Sequence, residues 1–154
     1  MYPTIIALHS LIRWFVLISL LYSISRAYIG WLRTKPFAKH DNLSRALTAR
    51  FAEIQFLLGV ILYFLSPIVD YFLHNFKDAI HLREIRFFGM EHITMMIIAV
   101  GVITTGSGKV KGMPTDQEKF KTMAIWFSIG LLIILTSIPW PFSPLVSRPW
   151  IRTF

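Results

Sequence analysis

Residues 87–105 read Phe87-Phe88-Gly89-Met90-Glu91-His92-Ile93-Thr94-Met95-Met96-Ile97-Ile98-Ala99-Val100-Gly101-Val102-Ile103-Thr104-Thr105, and their only ionisable side chains, Glu91 and His92, sit near the start. An α-helix needs about 20 mostly apolar residues to cross the roughly 30 Å hydrocarbon core of a bilayer. Three more stretches have this character: about Thr4 to Ser25, interrupted by His9 and Arg13; about Phe51 to Leu73, with Glu53 and Asp70 near its ends; and about Thr122 to Ile138, which carries no charge. Backbone groups in lipid must be paired within the segment, so all four read as helices. The expected fold is an all-α bundle of four transmembrane helices running up-down-up-down. Pro67 is expected to kink the second helix near its end, and Pro139 and Pro141 to stop the fourth.

Composition supports this reading. The chain has 154 residues, which makes one domain the default, and it is 55% hydrophobic with a formal charge of +8. Burying so much apolar surface in a soluble domain leaves too little polar surface for its exterior. The absence of cysteine removes disulfides, thiolate zinc sites, iron–sulfur clusters, thiol catalysis and covalent haem attachment. The first stretch lacks a basic leader region and carries Arg13 inside its apolar run, so it reads as a retained helix rather than a cleaved signal peptide.

Charge orients the bundle. Arg26, Arg33, Lys35, Lys39, Arg45 and Arg50 flank or fill one connection, and Lys109, Lys111, Lys119 and Lys121 fill another on the same side. Lys77, Arg83, Arg86, Arg148 and Arg152 lie on the other side, giving ten cations against five. The positive-inside rule then places the basic connections in the cytoplasm and both termini in the periplasm of a bacterial inner membrane. The basic excess is therefore a topology signal, not a nucleic-acid footprint. Trp31, Trp126, Trp140 and Trp150 fall near helix ends, as an interfacial belt requires. Asp41-Asn42 is expected to cap a second helix that protrudes into the cytoplasm. The glycosylation sequon at Asn42 has no meaning on that side. Thr105-Gly106-Ser107-Gly108-Lys109 lacks the earlier glycine and the following hydroxyl of a phosphate loop, and reads as a flexible connection after a helix end.

Ionisable residues inside spans are costly and are candidates for function. His9 and His92 each lie about five residues from the outer ends of helices that run in the same direction, so they share a depth of about 7–9 Å at a rise of about 1.5 Å per residue. Arg13 is one turn deeper than His9 on the same face. A b-type haem in a helical bundle needs two imidazoles at matching depth on facing helices. Arg13 suits a propionate, Met95, Met96 and Ala99 follow His92 at helical spacing as a soft apolar slot, and Gly59 permits close approach. Gln55, Gly59, Tyr63, Ser66 and Asp70 form a stripe on the second helix. The same residues admit other readings. Glu91, with Asp70 nearby, supplies the carboxylates of a quinone or proton site. His9, Arg13, Glu91 and His92 also suit a purely structural ion-pair network. A proton path is weaker, because only Glu53 stands in the inner half.

Taken together, His9-Ser10-x-x-Arg13-Trp14, Gln55-x-x-Leu58-Gly59 with Tyr63-Phe64, Glu91-His92-x-x-Met95-Met96 and Ile138-Pro139-Trp140-Pro141-Phe142 resemble a family of small four-helix membrane proteins of Bacteroidetes-type bacteria labelled "cytochrome B". The resemblance covers nearly the whole chain and implies haem b and respiratory electron transfer. Some members place a histidine directly before the Ile-Gln pair of the second helix, where this chain has Glu53, so only His9 and His92 carry over as ligand candidates. The expectation is an electron carrier rather than a free-standing enzyme. It would hold one haem b between His9 and His92 and be linked to quinone or a larger membrane complex, by self-association or through other subunits. The competing expectation is a haem-free accessory subunit.

Overall fold

The computed structural model describes residues 2–143 and 146–150. Arg152, one of the cations counted above, lies outside the described residues. The chain forms α1 (Tyr2–Leu32), α2 (Lys39–Leu65), α3 (Pro67–His74), two single turns α4 (Phe76–Ala79) and α5 (Arg83–Arg86), a π turn (Phe87–Glu91), α6 (His92–Gly112) and α7 (Asp116–Ser137). Four helical segments are long and apolar enough to cross a membrane: Tyr2–Leu32, Lys39–Leu65, Arg83–Gly112 and Asp116–Ser137. The protein is a multi-pass, all-α membrane bundle. α1 and α6 each pack against both α2 and α7, which makes them the diagonal pair.

The packing is inverted relative to a soluble bundle. Large apolar side chains point outward, among them Phe15, Ile18, Leu57, Phe64 and Leu132. Small residues line much of the seams, namely Ala7, Ser23 and Ala27 on α1, Ala49 and Ala52 on α2, Ala99 on α6, and Ala124 and Gly130 on α7, around a few large buried side chains such as Leu20, Ile103, Phe120 and Phe127. In lipid the helices gain little from hiding apolar surface from one another, so close backbone approach and dispersion drive association. Gly130 illustrates this: a Cβ there would collide with Ile103 of α6.

Every helix is longer than its apolar run, because hydropathy marks the lipid-crossing part and not the helix ends. The first continues past Ser25 to Leu32, and its Arg26 donates two hydrogen bonds to the fully buried Asp41 Oδ1 at 3.0 and 2.9 Å. The second begins at Lys39 rather than Phe51, with Ala38 and not Asp41-Asn42 at the cap position and Asp41 one turn in, accepting the Ala38 N–H at 3.0 Å, and it ends at Leu65 rather than Leu73. Pro67 has no N–H and blocks the preceding turn, so the chain breaks at Ser66 instead of kinking. Ser66 then caps α3 by accepting from the Val69 N–H at 3.5 Å. The fourth begins at Asp116 rather than Thr122, because Thr115 and Glu118 form a reciprocal capping box.

The third helix departs most from expectation. It runs to Gly112, so Thr105–Lys109 is helix, not a flexible connection. Two tertiary contacts overcome the glycines. Trp126 occupies the space where a Cβ of Gly106 would lie, and the buried Arg45 donates to the Ser107 carbonyl at 3.0 Å and to its hydroxyl at 2.5 Å. The π turn opens the ladder just before His92. The Tyr63 hydroxyl donates to the Gly89 carbonyl inside that turn at 2.9 Å.

Candidate functional site

A cavity of about 220 Å³ occupies the half of the bundle that bears the start of α1 and the break between α2 and α3. It reaches from Tyr2, Ser66 and Arg148 at its mouth down to Val16, Ala52 and Val100. His9 and His92 both line it, from the two helices that face each other across the diagonal. Arg13, Gln55, Gly59, Tyr63 and Met96 line it as well, among apolar walls such as Ile6, Phe56, Leu62, Ile93 and Ile134.

Each imidazole is set by its neighbours. His92 stands 2.9 Å from the carbonyl of Ser137, the last residue of α7, through Nδ1. A carbonyl oxygen only accepts, so Nδ1 carries the proton and a neutral ring keeps its lone pair on Nε2. Metal-bound histidines are oriented in this way, by donating the other ring N–H to a carbonyl or carboxylate. His9 lies over Gly59, where a Cβ would stand 3.3 Å from its Cε1 and 3.9 Å from its Nδ1. Gln55, one turn from Gly59, donates from Nε2 to the His9 carbonyl at 2.9 Å. His9 Nδ1 and Gln55 Oε1 are buried with no hydrogen-bond partner. Buried polar atoms are nearly always paired, so the two orphans mark a place that is incomplete in the bare chain.

Two arginines line the cavity, Arg13 of α1 and Arg148 of the tail. The Arg13 guanidinium donates to Ser10 Oγ at 3.4 Å and to the Trp150 carbonyl at 2.5 Å, and Trp14 Nε1 donates to that carbonyl at 3.4 Å. The rings of Trp14, Trp140 and Trp150 pack with centroids 5.4–6.3 Å apart, so this tail segment is folded against α1. Arg148 also lines the mouth and pairs with Glu84.

The structure thus brings together His9, His92, Arg13, Gly59 and Met96, with Gln55, Tyr63 and Ser66 of the α2 stripe. It does not bring in four others. Met95 faces away from the cavity, and Ala99 lies in the seam with α7; Ile93 and Val100 take their places beside Met96. Glu91 stands outside the cavity, held by Arg86 Nε at 2.7 Å, since adjacent helical residues lie about 100° apart and His92 takes the cavity face. Asp70 is exposed and paired with His74, since the break at Ser66 takes α3 off the line of α2. Among the described residues, no carboxylate lines the cavity, and no three His, Cys, Asp or Glu side chains converge on one point. The Ser137 carbonyl, the Tyr63–Gly89 bond and Arg148 were missed by sequence reasoning. Only the first left a trace, since Pro139 predicts a helix end at that level.

Two imidazoles, one of them tautomer-locked, line one mostly apolar cavity and are the donor types a haem iron would take; Arg13 and Arg148 line it too, engaged with the Trp150 carbonyl and with Glu84. The donor chemistry fits. The volume is the tighter condition: about 220 Å³ is below the roughly 300–1,000 Å³ of pockets that hold drug-sized ligands, so a macrocycle is accommodated only if the lining helices move apart. Set against family models, curated proteins and solved structures, the chain matches none of them.

Proposed function

We propose that this chain is a membrane-embedded electron carrier of the b-type cytochrome kind, with His9 and His92 as the axial ligands of one haem. The observation that carries the reading is the pair of imidazoles on diagonal helices lining one cavity, with His92 Nδ1 held by the Ser137 carbonyl. A bound b-type haem supplies reversible one-electron chemistry at its iron. The chain's own residues supply the rest. Ser137 fixes the His92 tautomer, Gly59 leaves room for the His9 ring, and Gln55 ties the His9 backbone to α2. The walls are mostly apolar, and Arg13 and Arg148 place positive charge on the lining, Arg148 beside Glu84.

With ten cations at the opposite end, the positive-inside rule supports a bacterial inner membrane with both termini in the periplasm, which puts the cavity mouth on the periplasmic side. A quinone remains a candidate redox partner at the lipid-facing surface. Its proton acceptor would have to lie outside the cavity, where Glu91 and Asp70 are. The small extramembrane mass supports operation as a subunit, by self-association or with other membrane proteins.

The test is ligand replacement. Chain co-expressed with ample haem should contain one haem per chain, and His92→Ala or His9→Ala should each abolish the low-spin spectrum. If both variants keep the spectrum of the unaltered chain, the axial assignment is wrong. If neither they nor the parent bind haem, the accessory-subunit reading stands in its place.

A further inference from the structure

The end of the bundle opposite the cavity carries a charge imbalance that the fold does not neutralise. Ten Lys and Arg residues lie there against four carboxylates, Asp41, Glu53, Asp116 and Glu118. All four carboxylates are committed. Asp41 is buried under Arg26 and accepts the Ala38 N–H at 3.0 Å. Glu53 pairs with Arg50, Asp116 with Lys119, and Glu118 closes the Thr115 capping box. Among the described residues, neither Lys39 nor Lys111 has a carboxylate within 4.0 Å.

These two lysines share a groove. It measures about 330 Å³ and lies between the start of α2, the end of α6 and the start of α7. Lys39, Lys111 and Lys119 ring it beside Asn42, over Phe37 and the buried Val110. Nearby, Lys109 and Lys121 sit 5.1 and 5.8 Å from the ring centroids of Trp126 and Trp31. Such aromatic–cation pairs are found where a membrane protein crosses the headgroup layer. Below Lys39, at successive four-residue steps on the same face of α2, come Leu43 and Leu47, 58% and 44% exposed. One face of the helix therefore presents a cation and then an apolar track descending towards the hydrocarbon.

We propose that this groove is a binding site for the phosphate headgroup of an anionic phospholipid, with its acyl chains lying along Leu43 and Leu47. Lys39, Lys111 and Lys119 line a space large enough for a phosphodiester, Lys119 also pairing with Asp116, and Asn42 lines it beside them. The apolar track distinguishes this ligand from a free phosphate, which has no use for it. The site is independent of the histidine cavity and does not rest on haem binding.

The experiment uses the full chain in phosphatidylcholine nanodiscs doped with phosphatidylglycerol, with retained lipid counted by native mass spectrometry. The unaltered chain is expected to retain phosphatidylglycerol in preference to phosphatidylcholine. A basic side chain near an anionic surface contributes on the order of fivefold in affinity. The triple variant Lys39→Gln/Lys111→Gln/Lys119→Gln should therefore lose about 100-fold, and Lys39→Gln alone about fivefold. The control Arg33→Gln/Lys35→Gln/Arg50→Gln removes the same charge from the same end and should lose far less. Equal loss in both triple variants, or no preference for phosphatidylglycerol in the parent, overturns the proposal. Displacement of the lipid by millimolar inorganic phosphate would overturn the lipid assignment as well.

Discussion

Filling the space at Gly59 tests the site at its tightest point. A Cβ there stands 3.3 Å from His9 Cε1, inside the roughly 3.5–4.0 Å of an ordinary carbon contact. Gly59→Ala therefore asks the His9 ring to move by a few tenths of an ångström, which a ring on one face of α1 accommodates. Gly59→Val adds γ carbons about 1.5 Å further out. One of them meets the ring, which then has to move by more than 1 Å or force α1 away from α2. Overpacking of this kind costs about 1–3 kcal/mol, or roughly 5- to 150-fold in the affinity of anything that needs the ring in place. The assay is haem titration of the purified chain, with the ligation state read from the visible spectrum. The alanine variant should bind nearly as the parent does, and the valine variant should lose the bis-imidazole signature. Gly101→Val is the control, because nothing lies within 4 Å of a Cβ at Gly101. A valine variant at Gly59 that matches the parent in affinity and spectrum would refute the placement of His9 as a ligand held over that glycine.

Three further outcomes concern the scaffold, each read as a change in unfolding free energy or midpoint in detergent. Arg45→Met removes the hydrogen bonds from Arg45 to Asn42 Oδ1 and to Ser107 O and Oγ, and should destabilise the bundle by about 3 kcal/mol; a neutral result would mean that the end of α6 is held by other contacts. Tyr63→Phe leaves the Gly89 carbonyl without its donor and should cost about 1–3 kcal/mol, with no loss expected if the π turn closes to ordinary helix. Thr34 holds φ at 49° just past the end of α1, a left-handed conformation that a β-branched residue resists, so Thr34→Gly should stabilise the chain by about 0.5–1 kcal/mol.

The four-helix architecture was legible because span length and hydropathy are properties of the linear sequence. The ends of the helices were not, because they depend on partners remote in sequence. Arg26 meets Asp41 across a turn, and Arg45 reaches Ser107 across 62 residues, so Gly106 and Gly108 look like helix breakers until that contact is known. The matched depth of His9 and His92 followed from counting residues, and the cavity joins them. Asp70 falls off the α2 stripe because counting assumes an unbroken helix, and the break at Ser66 takes α3 off that line. Glu91, next to His92, points about 100° away from it and is held by Arg86 instead. Met95 and Met96 show the limit of helical spacing as a guide, since adjacent residues lie about 100° apart and only Met96 reaches the cavity.

The central claim is that the two imidazoles hold a haem, and the most direct measurement is the dithionite-reduced minus oxidised absorbance spectrum of the purified chain produced with ample haem. The expected result is a Soret band that shifts on reduction, with sharp α and β bands of a low-spin, bis-imidazole iron at one haem per chain. A colourless chain, folded and helical but without a Soret band under those conditions, would contradict it.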